Sequence, residues 1–257
     1  IDDVLRSVSG VSSVGTISQA QAIKYAQNRG KGFQLFDWEM HKDVGNLHFF
    51  KYGNTDSQGV CGYGTNNYQK VTGLTNALGI RDTVSYYKEK GGSNPQAEGA
   101  YRDGVNYQSV NVLGYENFQG NKAEWLQYVT VNKTAADGRW FITMPDGTER
   151  VVQGITVYNA DIYPTHMVWG RYMDLIAAKE GGSTSSHWFD RFYVGTGLSR
   201  VVYRSYSYAS ALGGVSYASA NGDSSGTGAS IGVRLAFRGI IRWAGSVAAF
   251  KAINQAD

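Results

Sequence analysis

The chain has 257 residues, enough for one large domain or two small ones, and its 18 tyrosines, 10 phenylalanines and 6 tryptophans indicate an aromatic-rich core. The net charge is only +3 and no cluster of Lys and Arg is present, which argues against nucleic-acid binding. The single cysteine excludes an intramolecular disulfide framework. A single cysteine fits a cytosolic protein, or a particle that is assembled in a cytosol and released later.

The N-terminal part carries no targeting signal of the usual kind. No run of about 18 apolar residues is present to span a bilayer, so we expect no membrane insertion. No secretory signal pattern precedes the first helix either. Residues 1–15 are rich in Ser, Val and Gly without a period, which predicts a linker or a strand that joins an upstream part. Because the chain begins with Ile1 rather than Met, we expect a piece of a longer protein.

Two helices are predicted early in the chain. Candidate caps at residues 16–18 precede a stripe formed by Ala22, Ile23 and Ala26, and this helix ends at residues 29–32. A second helix is predicted from about Asp37 to Phe50. Its apolar face is expected to contain Met40, Val44 and Leu47, and it stops near Tyr52, Gly53 and Asn54.

Residues 55–114 are rich in Gly, Asn, Ser and Tyr, and they predict short strands within irregular structure packed around Tyr63, Tyr86, Tyr101 and Tyr107. Strands follow at 123–131, 139–143 and 150–157, and the turn sequence Pro145-Asp146-Gly147 predicts a hairpin between the last two. A short apolar run covers residues 172–178. Two further strands are predicted at 201–204 and 232–238, and the tail at 246–254 is predicted to be a short helix.

Residues 205–230 form the most unusual stretch, because 21 of these 26 residues are Ser, Ala, Gly or Tyr. Side chains this small are not expected to fill a core. Tyrosines set among small polar residues are the composition of antibody combining loops, where the rings give a large contact area at low entropic cost. The sequence therefore predicts a binding protein with its recognition surface near the C-terminus.

Three motifs, in order, resemble the formylglycine-generating-enzyme group. They are Trp38-Glu39, the stretch from Gly114 to Trp125 (GYENFQGNKAEW), and the strand Gly232–Phe237 (GVRLAF). The resemblance spans about residues 16–239. It implies an α+β fold of the C-type lectin type, with two early helices, a small twisted antiparallel sheet and much irregular loop. It also implies that residues 16–257 form a C-type-lectin-like ligand-binding domain.

The same motifs have structural interpretations. Asn121 follows Gly120 in what we expect to be a tight turn, and Trp125 is expected to be a core anchor. Glu124 and Arg234 are expected to form a structural ion pair. We prefer this to a catalytic carboxylate because no partner acid or base accompanies Glu124.

Within this fold, a closing G-x-R strand preceded by a Ser/Tyr/Ala/Gly/Asn-rich stretch resembles the variable proteins of diversity-generating retroelements. In that family, adenine-directed mutagenesis rewrites Asn-type codons, which gives Tyr, Ser, Ala, Gly, Asp, Thr, Leu or Val but not Lys, Glu, Gln, Trp or Met. The variable segment would be residues 192–230, and these 39 residues contain none of the latter five types.

The resemblance implies a receptor-binding protein on a phage tail tip, or a bacterial cell-surface or pilus-tip adhesin with the same domain. The implied partner is a bacterial surface protein or glycan, and the implied assembly is a homotrimer. The expected location is the virion tail tip, or the extracellular or cell surface. The expected binding residues are Tyr193, Thr196, Tyr206, Tyr208, Ala209, Leu212, Tyr217, Ser219, Asn221, Gly222, Gly226, Gly228 and Ser230. These side chains are expected to be mostly exposed on one face, above a scaffold formed by Trp188, Val201, Arg204, Val215, Ile231, Val233 and Leu235.

A formylglycine-generating or related sulfatase-modifying oxidase is the enzymatic alternative. That chemistry uses a pair of cysteines near the C-terminal part of the fold, whereas Cys61 is the single cysteine here. Cys61 is expected to be a small buried residue. His41 and His48 lie seven residues apart on one helix without a completing metal ligand, and Asp56, Asp82, Asp103 and Asp223 lack the spacing of an EF-hand calcium site. We therefore expect no enzymatic activity, no metal and no cofactor.

Overall fold

The structure is a computed structural model. It describes residues 3–64, 72–73, 109–134, 136–183, 185, 188, 190–206, 212–240 and 245–248. Within these ranges the chain forms an α+β fold that is poor in helix and rich in strand. Its helices are α1 (Gln19–Gln27), α2 (Trp38–Tyr52) and α3 (Ser57–Cys61). None of the described helices combines the length and the apolar character that crossing a membrane requires.

Fourteen strands are present in the described residues, in the order β1 (Phe33–Leu35), β2 (Asn111–Val112), β3 (Tyr115–Glu116), β4 (Ala123–Val131), β5 (Arg139–Thr143), β6 (Glu149–Gln153), β7 (Asp161–Ile162), β8 (His166–Val168), β9 (Ile176–Lys179), β10 (Phe192–Val194), β11 (Arg200–Arg204), β12 (Ala218–Gly222), β13 (Ile231–Val233) and β14 (Leu235–Phe237). Eight of them form one sheet in the order β6-β5-β4-β11-β12-β10-β7, with β13 paired to β4.

Helix α1 begins as the sequence predicts. The Ser18 hydroxyl accepts a hydrogen bond from the Gln21 backbone N–H at 3.1 Å, and the Gln21 side chain accepts one from the Ser18 backbone N–H at 3.2 Å. This reciprocal pair is a capping box, which satisfies two backbone donors that a helix start leaves unpaired. Ala22 and Ala26 are fully buried, so the predicted apolar stripe faces the core.

Helix α2 is confirmed, but one member of its predicted apolar face is wrong. Asp37 caps its start and Gly53, with φ 60°, ends it. Leu47 is 56% exposed, and the buried side of the helix carries His41 and His48 instead. These imidazoles replace aliphatic side chains because each packs on an aromatic neighbour. The His41 ring stacks on the Phe118 ring at 4.4 Å, for example.

Strand β4 is the centre of the sheet, and its predicted limits, 123–131, are confirmed. It pairs with β11 along its length, with β5 at Val129–Val131, and with β13 at Ala123–Trp125. The predicted hairpin β5–β6 is also confirmed. At its turn the Asp146 carboxylate accepts a hydrogen bond from the Thr148 backbone N–H at 2.9 Å, which closes an Asx-type turn.

The sheet is larger than expected, and it is mixed rather than antiparallel. Strand β12 inserts between β11 and β10, antiparallel to the first and parallel to the second. The second parallel pair joins β13 to β4. The insertion arises because the chain leaves β11, loops back, and returns to the gap between two strands that precede it in sequence.

Strand β12 contradicts the expectation that residues 205–230 do not fill a core. Val215, Ala218 and Ala220 are fully buried. Small residues are needed here because the strand passes close to large side chains. A Cβ atom on Gly222, for example, would lie 2.6 Å from the Trp125 ring.

The predicted strand at 232–238 divides into two. Strand β13 pairs with β4, and β14 pairs antiparallel with β1 in a separate two-stranded sheet. Arg234, between them, leaves both ladders, and its guanidinium binds the Glu124 carboxylate at 2.7 Å. The expected ion pair is therefore confirmed.

Two hydrophobic clusters fill the interior. The larger contains Trp38, Trp140 and Phe192, and the smaller packs Trp125 against Leu35 and α1. Leu5, in the region predicted as a linker or strand, is buried in the smaller cluster.

The irregular region predicted at 55–114 is described only in part. Its described part contains the short helix α3 and the strand β2. Tyr63 is half-buried. Tyr86, Tyr101 and Tyr107 lie outside the described residues, as does most of the predicted tail helix.

Candidate ligand-binding surface

The structure distributes the sequence-predicted binding residues over three environments. Thr196 and Asn221 are exposed, and Tyr217 and Ser219 are buried. Tyr208 and Ala209 lie outside the described residues. The others are partly exposed: Tyr193, Tyr206, Leu212, Gly222, Gly226, Gly228 and Ser230.

The expected exposure of Tyr217 and Ser219 is wrong. Ser219 is a member of β12 and lies beside Tyr203 of the neighbouring strand β11. Tyr217 immediately precedes β12, and its ring meets the Tyr206 ring edge-on at 5.2 Å. Burial raises the pKa of the Tyr217 phenol well above its usual value, and the neighbouring Tyr203 phenol adds to this effect. Both residues therefore belong to the scaffold.

The predicted residues also do not form one continuous patch. Tyr206, Leu212 and Tyr217 lie at the start of β12, whereas Asn221 and Gly222 lie at its end. Tyr217 and Asn221 are four positions apart along the chain, which is about 13 Å at the usual rise of a strand. The surface therefore has two parts. We call the first the outer segment (residues 221–230, with the loop 195–199 beside it). We call the second the tyrosine face (Asn159, Asp161, Tyr163, Arg191, Tyr193 and Tyr206).

The outer segment is held in place through its backbone carbonyls. The Ser224, Gly228 and Ser230 carbonyls accept hydrogen bonds from the backbone N–H groups of Ala20 (3.1 Å), Thr16 (2.9 Å) and Ala123 (3.0 Å). The Lys122 ammonium donates to the Ala229 carbonyl at 2.6 Å. Backbone carbonyls are common to all residue types. These four contacts therefore do not depend on which side chains residues 224–230 carry.

The loop 195–199 is fastened to the outer segment by Arg200. Its guanidinium donates to the Asp223 carboxylate at 2.8 Å and to the Asn221 carbonyl at 3.4 Å. The Gly195 backbone N–H also donates to the Ala220 carbonyl at 2.9 Å. These contacts place the exposed side chains of Thr196 and Asn221 at one end of the sheet.

The glycines of residues 205–230 differ in how much space surrounds them for an added Cβ atom. Gly226 and Gly228 have no left-handed backbone, and an added Cβ would lie 3.2 Å and 3.5 Å from its nearest neighbours. At Gly213 and Gly214 an added Cβ would lie 1.9 Å from Tyr206 and 2.2 Å from Ser57. Trp125 restricts Gly222 in the same way, since an added Cβ there would lie 2.6 Å from its ring. The structure leaves room for a side chain at Gly228, requires a small shift of the Asp223 carbonyl at Gly226, and opposes a side chain at Gly222.

The tyrosine face lies on the edge strand β7 and its neighbour β10. Residues 161 and 193 are register partners, and alternation along each strand places Phe192 and Ile162 on the buried side. The opposite side carries Asn159, Asp161, Tyr163, Arg191, Tyr193 and Tyr206, all exposed or half-buried. Sequence analysis named two of these six residues. The alternation in N-A-D-I-Y (159–163) and R-F-Y-V (191–194) was the signal that would have found the others.

Arg191 organises this face. Its guanidinium binds the Asp161 carboxylate at 2.8 Å and donates to the Tyr206 hydroxyl at 3.0 Å. The Tyr193 hydroxyl donates to the Asn159 side-chain oxygen at 3.5 Å. Burial raises the pKa of the Tyr163 phenol, and the nearby Arg191 charge opposes that shift. The face is thus an ordered set of phenol rings around one balanced ion pair.

A buried polar clamp anchors the chain between the two parts of the surface. The Asp190 carboxylate accepts hydrogen bonds from the Ser216 backbone N–H (2.8 Å) and hydroxyl (2.6 Å), and the Ser57 hydroxyl accepts one from the Val215 N–H at 3.0 Å. The Arg204 guanidinium donates to the Val215 carbonyl at 3.2 Å. The expected scaffold role of Arg204 is thereby confirmed, and Asp190 and Ser57 are scaffold residues that sequence analysis missed.

The two charged groups of the clamp, Asp190 and Arg204, have shifted pKa values. Burial raises the pKa of Asp190 to about 6, although the Ser216 hydrogen bonds oppose the shift. Burial also lowers the pKa of Arg204 to about 9, and the Asp190 charge opposes that shift. Both groups are fully buried, so the hydrogen bonds and the opposite charges compensate for lost hydration.

The described residues offer little for metal chemistry. Within them, no three His, Cys, Asp or Glu side chains come together as a metal site would require. Cys61 is fully buried at the end of α3, as expected. Burial lowers the pKa of His41 well below its usual value, and the Arg204 and Arg234 charges add to this effect. His41 is accordingly a neutral core residue at physiological pH.

Comparison with known proteins gives no relative for this chain: no protein-family model and no curated protein sequence matches it.

Proposed function

We propose that this chain is a receptor-binding protein with a C-type-lectin-like domain, whose outer segment is diversified by a retroelement to recognise a bacterial surface ligand. The observation that carries the proposal is the backbone attachment of residues 224–230 to α1, Lys122 and β4. A binding surface that must tolerate many side chains needs a frame that does not depend on them. Carbonyl acceptors provide such a frame.

Two features support the C-type-lectin-like assignment. Two helices precede a strand-rich core, and the closing β14 strand returns to pair with β1. The Glu124–Arg234 ion pair joins the second and third family-like motifs, at 2.7 Å. Both partners come from the stretches on which the resemblance depends.

The proposed location is a phage tail tip, with a homotrimer as the proposed assembly. A bacterial cell-surface or pilus-tip adhesin is the second candidate, since either would display the same surface. The oxidase alternative is weakened by the burial of Cys61 in α3, because a buried lone thiol provides neither the second sulfur ligand nor access for a substrate. We propose a binding protein rather than an enzyme.

The test is a swap of outer-segment side chains. The double variant Asn221→Tyr/Thr227→Tyr is expected to change which strains of a bacterial panel the protein binds, while Tm changes by less than about 2 °C. The physical reason is that both side chains are exposed and the backbone supports the segment. Cell pull-down and calorimetry measure the two effects.

Two control variants accompany this test. Leu47→Ser, at an exposed position on α2, should leave both strain binding and Tm unchanged. Gly222→Ser should lower Tm, because its side chain would meet Trp125. An unaltered strain profile in the double variant would contradict the proposed function.

A further inference from the structure

The tyrosine face is a second candidate surface that lies largely outside the variable segment. Four of its six residues, Asn159, Asp161, Tyr163 and Arg191, precede residues 192–230. Its side chains are accessible, with Asp161 44% and Arg191 16% exposed, yet ordered by contacts with one another. Ordering before binding reduces the entropy that a ligand must remove.

The charge on this face is balanced. The Arg191 guanidinium and the Asp161 carboxylate lie 2.8 Å apart, so the pair presents hydrogen-bonding atoms without a net charge. A polyanion or a cationic peptide would have to break this pair to gain a charge contact. The face therefore fits a neutral partner better than a charged one.

The remaining chemistry suits a sugar. The Arg191 guanidinium lies over the Tyr206 ring at 5.4 Å, so the half-buried Tyr163 and Tyr193 rings are the ones left to offer flat, electron-rich faces for the carbon-bound hydrogens of a pyranose ring. Their hydroxyls keep a polar edge. The exposed Asn159 and Asp161 side chains present planar oxygen atoms that accept hydrogen bonds from neighbouring sugar hydroxyls. Such a combination provides both stacking and directional contacts.

A protein partner fits less well. The centre of a protein–protein interface is usually apolar. None of the six residues of this face belongs to the well-exposed large hydrophobic side chains of the described residues. The nearest in sequence is Leu198, in the loop at the other end of β10.

We propose that the tyrosine face binds a neutral pyranose-containing glycan of the bacterial surface, with Asn159 and Asp161 accepting hydrogen bonds from its hydroxyls. This inference rests on the proposed function, because it names the partner class of that binding surface. It divides the recognition between a fixed sugar contact and a variable outer segment. The glycan belongs either to a lipopolysaccharide or to a capsular polysaccharide, which share this chemistry.

The test uses the full chain against immobilised purified lipopolysaccharides and capsular polysaccharides from a panel of strains, measured by biolayer interferometry. Asn159→Ala and Asp161→Ala are each expected to weaken binding by about tenfold, the usual effect of losing one hydrogen-bond partner in a site. The control Leu47→Ser, at an exposed position on α2, should leave sugar binding within about twofold, and Thr227→Ala tests whether the outer segment contributes to sugar binding. Which immobilised polysaccharide responds identifies the source.

Other outcomes separate the inference from the proposed function. Cell binding that survives periodate oxidation of the glycans but is lost after protease treatment would overturn the glycan and leave the receptor-binding role intact. Sugar binding that Thr227→Ala abolishes, and that Asn159→Ala and Asp161→Ala do not affect, would overturn the assignment of the face. A chain that binds no strain at all contradicts the proposed function and this inference together. Unchanged Tm values verify that the variants are folded.

Discussion

The two halves of the Ser/Ala/Gly/Tyr-rich segment have nearly the same composition and opposite environments. Residues 213–220 are buried between β11 and β10 or in the clamp, whereas residues 221–230 run along the surface. In the first half, small side chains are needed because neighbouring groups leave no room. In the second half they are permitted at most positions because the segment is attached through its backbone, although Trp125 restricts Gly222 and Asp223 binds Arg200. An excess of small residues therefore does not by itself tell whether a segment is tightly packed or exposed at the surface.

The largest expected effect comes from comparing the two ends of β11. Arg204 is fully buried in the clamp, whereas Arg200 binds the exposed Asp223 carboxylate. Arg204→Met should lower the free energy of unfolding by about 3–5 kcal/mol, because it leaves the buried Val215 and Leu175 carbonyls without their donor. Arg200→Met should cost no more than about 1 kcal/mol. Urea denaturation of both variants measures the difference, and equal losses would remove the distinction between the two ends.

The second prediction concerns pH and the clamp. The folded-state pKa of Asp190, about 6, lies above that of an unfolded aspartate, so the folded protein binds an extra proton between these values. Its contribution to stability is therefore fully present below about pH 4 and is lost as the pH rises through about 6, a change of about 3 kcal/mol. Asp190→Asn should remove this dependence.

Denaturant titrations from about pH 4 to pH 8 measure this effect as the difference between wild type and variant. The difference is the useful quantity because the other carboxylates titrate in both proteins. If the free energy of unfolding changed with pH in the same way in the wild type and in Asp190→Asn, Asp190 would not titrate as its burial implies.

The third prediction compares two alanines of the segment. Ala218→Leu adds volume to a fully buried position in β12 and should cost about 1–3 kcal/mol through overpacking. Ala229→Leu adds the same atoms to an exposed position of the outer segment and should change stability by less than about 0.5 kcal/mol. Chemical denaturation distinguishes them. A large loss in Ala229→Leu would show that the outer segment supports the fold after all.

Much of the fold could be predicted from local patterns. Ser18 and Asp37 marked helix starts, Gly53 marked a helix end, and the turn at Asp146 located the β5–β6 hairpin. These features are local, because a cap or a turn is completed by residues a few positions apart. The Glu124–Arg234 pair was also predicted, from the order of motifs that the family resemblance supplied.

The candidate site was harder to predict. Tyr217 and Ser219 were expected at the surface because composition does not distinguish a buried tyrosine from an exposed one. Leu47 was expected on the buried face of α2 but is 56% exposed, whereas His48 is buried and its ring contacts the Tyr52 ring of the same helix. Asp161 and Arg191 were missed because their partnership requires β7 to lie beside β10.

The sequence alone determined where the helices begin, where the hairpin turns and which stretch departs from ordinary composition, because these depend on short-range backbone chemistry. The tertiary structure decided that Val215–Ala220 is core and that residues 221–230 are surface. It did so because the space available to a small side chain depends on which large one, such as Trp125 beside Gly222, the fold brings next to it. That contact joins parts of the chain that no local pattern connects.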